Sequence, residues 1–156
     1  MKAVRAKKFL GQHFLINEGI AKKITDLISK NNNKNVLEIG PGMGVLTKYL
    51  QEKDISLKLI EIDRESVLYL KNTIPQLKDS IFKQDFLKID LNEIYSENLS
   101  IIGNFPYNIS SQILFKVYEN HQKVDTVVGM FQKEVAERVA SPVSYTHLRA
   151  HETESN

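Results

Sequence analysis

Cysteine is absent from the 156 residues of this chain. Its absence excludes disulfide bonds, thiolate nucleophiles and zinc sites built on cysteine. Long hydrophobic runs are also missing: no apolar stretch approaches the roughly 20 residues that a bilayer-spanning helix needs, so we expect no membrane partner. The basic first five residues are not followed by the apolar stretch of a signal peptide. These absences favour a cytoplasmic protein.

Net charge is low, at +2, but it is unevenly distributed. The first 30 residues contain seven lysines and arginines against two acidic residues, a local charge of +5, which leaves −3 for the other 126. A basic N-terminal arm on a nearly neutral body can contact phosphate groups, and it can equally be a solubilising terminus. Charge alone leaves both interpretations open.

Apolar segments of strand length alternate with segments of helical periodicity, in a chain whose length predicts one domain. We expect parallel strands at 36–39, 57–63, 81–85, 99–103 and 124–131, with helices on both faces of the sheet. Asn17 is placed to cap the first helix. The first helix has its apolar positions on one face, at Ile20, Ile24, Leu27 and Ile28. The second is expected to point Val45, Leu46, Tyr49 and Leu50 inward, and a third is marked by Val67, Leu68 and Leu70.

A glycine-rich loop at 40–44 follows the first predicted strand and opens a helix. Its glycines allow a ligand to approach the backbone, and a helix N-terminus offers free N–H groups. Such a loop is a weak signal, shared by dinucleotide and methyl-donor sites, or it is only a structural turn. Glu61 lies 17 residues beyond Gly44, where a carboxylate can accept both hydroxyls of a ribose, although Asp63 competes for that role. Together they predict a ribose without deciding the cofactor.

Asp85 follows the third predicted strand. Its carboxylate can cap the helix that begins there, or it can accept a hydrogen bond from the adenine amine of a cofactor. The sequence leaves both roles open.

Asn104-Phe105-Pro106-Tyr107, at the end of the fourth strand, is the most specific motif in the chain. The side-chain oxygen of Asn104 and the backbone carbonyl of Phe105 or Pro106 can accept the two N–H bonds of an adenine 6-amino group. These acceptors direct the nitrogen lone pair at a methyl donor and stabilise the charge that develops during transfer. Tyr107 can stack on an extruded base, worth roughly 1–3 kcal/mol. The alternative is a polar turn with an aromatic anchor.

Four segments, 8–15, 38–42, 60–63 and 103–110, together resemble the rRNA adenine dimethyltransferases. The resemblance extends over residues 5–141. Phe105 between Asn104 and Pro106 distinguishes it from the DNA adenine and protein-glutamine methylases, which carry Asn-Pro-Pro-Tyr. Segments 10–15 and 132–138 favour the small-subunit (KsgA) group over the Erm enzymes, which methylate large-subunit rRNA and confer macrolide resistance.

This resemblance implies a Rossmann-like fold and S-adenosyl-L-methionine as cofactor. It also implies dimethylation of two adjacent adenines near the 3′ end of small-subunit rRNA, with a 30S precursor as partner and a monomeric enzyme. The implied roles begin with the arm, where Arg5, Lys7 and Lys8 would contact RNA. The residues implied to bind the cofactor are His13 and Leu15, which close over the methyl donor, Gly40 and Gly42 at its methionine part, Glu61 at its ribose, Asp85 at its adenine, and Asn104 between donor and target.

The family continues beyond the fifth strand with two more strands and a helical RNA-binding domain, which 142–156 does not resemble. We therefore interpret 1–141 as the N-terminal and central part of the catalytic domain and 142–156 as a disordered, non-native tail. His147 and His151 have the spacing of a metal pair, but without a third ligand nearby we expect no metal. The chain itself is expected to be catalytically inactive and to self-associate. A non-catalytic RNA-binding assembly factor is the alternative of another class.

Overall fold

A single parallel sheet organises the molecule. The structure is a computed structural model that describes residues 17–30 and 32–141. All adjacent strands are parallel, in the order β3-β2-β1-β4-β5. The predicted five-stranded parallel sheet is therefore confirmed. The strands are β1 Asn35–Ile39, β2 Ser56–Ile60, β3 Ile81–Phe82, β4 Leu99–Asn104 and β5 Val124–Met130.

Helices connect the strands and cover both faces of the sheet. Those predicted from periodicity are present, although the one after the glycine loop has only four residues. The pattern missed the helix Leu91–Ile94 and two 3-10 helices, Pro75–Ser80 and Phe86–Lys88, because elements of three to six residues are too short to show a period. The α-helices are α1 Glu18–Ile28, α2 Thr47–Leu50, α3 Arg64–Thr73, α4 Leu91–Ile94, α5 Ser110–Glu119 and α6 Lys133–Ala140.

Alternate strand residues enter two hydrophobic cores. In β1, Val36 packs with α1, α2 and α3 on one face, and Leu37 packs with α4 and α5 on the other. In β4, Ile102 and Ile101 divide in the same way. A parallel sheet covered on both faces explains why these strands are continuous apolar runs without polar alternation.

Three of the apolar helix positions are exposed. Ile20 and Leu27 flank the buried stripe of α1, which is centred on Ala21, Ile24 and Ile28. Leu68 in α3 is 51% exposed, beside the buried Val67. Consecutive residues point about 100° apart on a helix, so an apolar residue next to a buried one need not face the core.

β2 and β3 end earlier than predicted, at Ile60 and Phe82. In both places a carboxylate caps the next helix. The Asp63 side chain accepts from the Ser66 N–H, and Asp85 accepts from the Leu87 N–H. The chain must leave the sheet before its N-cap residue, which places the last predicted strand residues in loops at the carboxyl ends of the strands.

Candidate active site

One cleft lies at the carboxyl ends of β1, β2 and β4. It contains about 860 Å³ of empty space when its open mouth is counted. Carboxyl ends of parallel strands meet at one edge of the sheet, so side chains distant in sequence converge there. The predicted site residues that line it are Gly40, Gly42, Glu61, Asp85, Asn104 and Pro106.

The glycine loop owes its shape to three residues with positive φ. These angles are +63° at Gly40, +57° at Gly42 and +80° at Gly44, a region that side chains with a Cβ rarely adopt. A Cβ at Gly44 would lie 3.2 Å from Leu70 Cδ2, whereas one at Gly40 would have no neighbour within 4 Å. The absence of a side chain at Gly44 thus allows Leu70 to pack closely against the loop, and its absence at Gly40 leaves open space at the cleft.

The loop N–H groups are already hydrogen-bonded within the protein. The Gly40 N–H donates to the Ile60 carbonyl at 2.9 Å, and the Gly44 N–H donates to the Pro41 carbonyl at 2.9 Å. The Gly42 N–H donates to a carboxylate oxygen of Glu61 at 3.1 Å. The N–H groups of these three glycines are therefore engaged within the protein. Their contribution is close approach of the backbone.

Glu61 is fixed directly beneath the loop. Its Oε2 accepts from Gly42 and its Oε1 accepts from the Asp63 N–H at 3.0 Å. The side chain is 4% exposed, and burial raises the pKa of this carboxyl, against the lowering effect of the two N–H donors. Each carboxylate oxygen has a second acceptor site, so the group can still receive hydroxyl donors from the cleft. Asp63, the competitor, instead caps α3 through Ser66.

Glu38, which the sequence analysis did not single out, is a second buried acid in the same cleft. It is 1% exposed, and its Oε2 accepts from the Thr47 hydroxyl at 2.6 Å. Burial raises the pKa of Glu38 to about 8, and the charge of Glu61 adds to this effect. Glu38 is therefore mostly protonated at neutral pH. One signal was available: it is the only charged residue inside an otherwise apolar predicted strand.

Asp85 both caps a helix and lines the cleft. Its Oδ1 accepts from the Leu87 N–H at 3.0 Å, which caps the 3-10 helix Phe86–Lys88. The residue also lines the cleft, next to Phe86. Capping fixes the carboxylate at the cleft wall and does not remove it from the site.

The Asn104–Tyr107 motif divides between cleft and core. Asn104 ends β4 and lines the cleft together with Pro106, whose carbonyl accepts from the Ile109 N–H at 3.2 Å. The Phe105 ring is 6% exposed and stacks on Phe131, with 4.7 Å between ring centroids. Any contribution of Phe105 at the cleft therefore comes from its backbone. Tyr107 is 43% exposed, as a base-stacking role would require.

Five of the predicted site residues, Arg5, Lys7, Lys8, His13 and Leu15, lie outside the described residues. In the part of the chain that is described, no group of three or more histidine and acidic side chains is arranged to hold a metal ion. Over the same part, no helix is long and apolar enough to cross a membrane.

Residues 3–150 match the family described as ribosomal RNA adenine dimethylase. The chain belongs to this family. Over 140 residues it is 56% identical to ribosomal RNA small subunit methyltransferase A of Flavobacterium johnsoniae, covering 89% of the chain and 54% of that relative. The chain thus spans about half the length of the curated relatives it matches. The resemblance to the small-subunit group of adenine dimethylases is confirmed.

Solved structures agree with this assignment to the adenine dimethylases. A dimethyladenosine transferase from Plasmodium falciparum has a TM-score of 0.68 and 30% identity, over 84% of this chain and 47% of that one. The 23S rRNA methyltransferase ErmE has a TM-score of 0.69 and 26% identity, over 81% and 50%. The Rossmann-like methyltransferase fold is therefore confirmed.

Proposed function

We propose that the whole protein, of which this chain spans about half by comparison with its relatives, dimethylates the 6-amino groups of two adjacent adenines near the 3′ end of small-subunit rRNA, as a cytoplasmic monomer acting on a 30S precursor. S-adenosyl-L-methionine is the proposed methyl donor. The observation that carries the proposal is the convergence of Glu61 and Asn104 on one cleft in a member of the adenine dimethylase family. A pure RNA-binding protein has no need of an amine-acceptor motif beside a ribose-binding carboxylate.

The residues that line the cleft fit this cofactor in their chemistry. When bound, the cofactor supplies an electrophilic methyl group on a sulfonium. Glu61 holds the ribose hydroxyls, Asp85 accepts from the adenine amine, and Gly40 leaves space for the methionine part. His13 and Leu15 close over the donor from the arm.

Asn104 and the next residue hold the target amine. The Asn104 side-chain oxygen accepts one N–H bond. The Pro106 carbonyl is already engaged by Ile109, which favours the Phe105 carbonyl as the second acceptor. Both acceptors keep the lone pair aimed into the cleft and stabilise positive charge on the nitrogen. Tyr107 stacks on the extruded base. No strong general base is needed, because the methyl donor is a charged sulfonium that would leave as a neutral thioether.

Because the chain spans about half the length of its curated relatives, we propose that it binds the cofactor but does not methylate rRNA by itself. A chimera tests both statements: residues 17–141 replace the matching segment of the Flavobacterium johnsoniae relative. Labelled methyl donor and undermethylated small subunits are supplied to the chain, the chimera and the unmodified relative. We expect dimethyladenine from the chimera and the relative, and none from the chain.

The Asn104→Ala chimera separates an enzyme from an assembly factor. We expect loss of dimethyladenine with retained RNA binding. An active Asn104→Ala chimera would contradict the proposed role of the motif. Large subunits supplied in parallel test the Erm-type alternative, since label in 23S rRNA alone would replace the proposed substrate. An inactive chimera beside an active relative would reject the proposed activity.

A further inference from the structure

Lys116 of α5 crosses to the 3-10 helix Phe86–Lys88. Its Nζ donates to the Phe86 carbonyl at 2.6 Å and to the Ile89 carbonyl at 2.5 Å. The same Nζ lies 5.1 Å from the centroid of the Phe86 ring. One ammonium group therefore holds two backbone carbonyls and one aromatic face of a single short segment.

This segment forms one wall of the cleft. Asp85 caps its first turn, and Asp85 and Phe86 both line the cleft, whereas Lys116 does not. The last carbonyls of a helix lack partners within it, and a cation is favourable at that end. Lys116 supplies both a donor and a positive charge there, so Asp85 anchors the start of the segment and Lys116 anchors its end.

The same helix is tied to the amine-acceptor motif. α5 begins directly after Asn104–Tyr107, and the Ile109 N–H before its first residue donates to the Pro106 carbonyl. Burial lowers the pKa of the Lys116 ammonium, while the charge of Asp85 acts in the opposite direction. The carboxylates of Asp90 and Glu119 also favour the charged form. The Lys116 contact thus links α5, which follows the amine-acceptor motif, to the Asp85-Phe86 wall of the cleft.

We propose that Lys116 is a positioning residue that holds the Asp85-Phe86 wall at the distance from α5 which the adenine end of the methyl donor requires. It acts through the segment and does not touch the ligand. The inference rests on the proposed donor site, and it adds a residue of α5 to the groups on which donor affinity depends.

Lys58 provides a matched control. Its Nζ donates to the Ile94 carbonyl at 2.5 Å and lies 4.4 Å from the Tyr95 ring centroid. The lysine, the carbonyl acceptor and the aromatic face are therefore all reproduced, but Lys58 does not line the cleft. If Lys116 had a merely structural role, Lys58→Met and Lys116→Met should have the same effect on the cleft wall and on ligand affinity.

The first measurement uses the chain without ligand. Hydrogen exchange at residues 84–89 should increase in Lys116→Met, recover in Lys116→Arg, and stay at the wild-type level in Lys58→Met. Unchanged exchange in Lys116→Met would overturn the positioning role. If Lys116→Met does not fold, Lys116→Gln takes its place in the same comparison.

The second measurement is the affinity for S-adenosylhomocysteine, by calorimetry. Lys116→Met should weaken binding by about three- to tenfold, the scale of coupling between contacting residues, with Lys116→Arg and Lys58→Met close to wild type. The effect should be non-additive with Asp85→Asn and additive with Glu61→Gln. Equal weakening by Lys58→Met, or additivity with Asp85→Asn, would overturn the inference. A wild-type chain that does not bind the ligand would instead contradict the proposed function, and the exchange comparison would still decide the role of Lys116.

Discussion

The Thr47 hydroxyl donates a hydrogen bond of 2.6 Å to the buried carboxyl of Glu38, which joins the first residue of α2 to β1 beneath the glycine loop. Because burial raises the pKa of Glu38 from 4.5 to about 8, the folded chain keeps a proton there that the unfolded chain loses. This contribution to stability is complete below pH 4.5 and is lost as the pH rises to about 8.

Glu38→Gln should therefore be increasingly more stable than wild type as the pH rises through this interval. The difference in unfolding free energy should grow by at most about 1.4 kcal/mol per pH unit and level off at higher pH. Denaturant titrations at several pH values measure it. Glu52→Gln, the same substitution at an exposed position, is the control. A constant difference for Glu38→Gln would mean that Glu38 is ionised in the fold.

Glu61→Ala should weaken methyl-donor binding by about 1–3 kcal/mol, because the ribose hydroxyls lose their acceptor. Calorimetry with the chain measures this affinity. Asp63→Asn tests the competing acid, and since asparagine also caps helices well, α3 should persist and affinity should not change. Unchanged affinity in Glu61→Ala would remove Glu61 from the site.

Gly129→Ala should destabilise the fold and disturb the amine-acceptor motif. A Cβ there would lie 2.2 Å from Phe105 Cε2 and 2.4 Å from the Gly103 carbonyl oxygen, so both must move. We expect the free energy of unfolding to fall by at least about 1–3 kcal/mol, as for other overpacked cores. Gly19→Ala, in helix α1, is the control: a Cβ there would lie 3.3 Å from Asn17 Oδ1, which must shift by only a few tenths of an ångström, so we expect a much smaller change. Equal melting temperatures for the two variants would contradict the close packing of Phe105.

Neutralising Lys2, Arg5, Lys7 and Lys8 should reduce affinity for small-subunit rRNA if the basic arm binds phosphates. The slope of log affinity against log salt should flatten by about 0.7–0.9 for each phosphate that the arm no longer neutralises. Lys22 and Lys23, exposed on α1, provide a control pair of lysines outside the arm. An unchanged slope in the arm variant would support the solubilising alternative.

The outer edge of β5 should make the chain self-associate. Within residues 17–30 and 32–141, β5 pairs with β4 alone and occupies the end of the sheet. Unpaired strand edges recruit other strands, and lysine on an edge opposes this. Light scattering should show a mass that increases with concentration, and Met130→Lys should reduce the increase. A monomer at every accessible concentration would contradict this prediction.

The sequence by itself determined the order of elements and the edge at which the site lies. Strand-length apolar runs alternating with helical segments require a parallel sheet, and parallel strands bring their carboxyl ends together. Gly40, Glu61 and Asn104 each follow or end such a run, so their convergence could be predicted without coordinates. The sequence was sufficient for this prediction because each of these residues stands at the carboxyl end of its own strand, and a parallel sheet brings those ends together.

Contacts between elements were decided by the tertiary structure alone. Glu61 and Asp63 are carboxylates two residues apart, but Glu61 lines the cleft and accepts from the Gly42 N–H, whereas Asp63 caps α3. Lys116 reaches a segment 30 residues away, a distance in sequence at which no periodicity predicts contact. The protonation of Glu38 likewise depends on how completely α2 and β1 exclude water from it, because desolvation is a property of the packed fold and not of the local sequence.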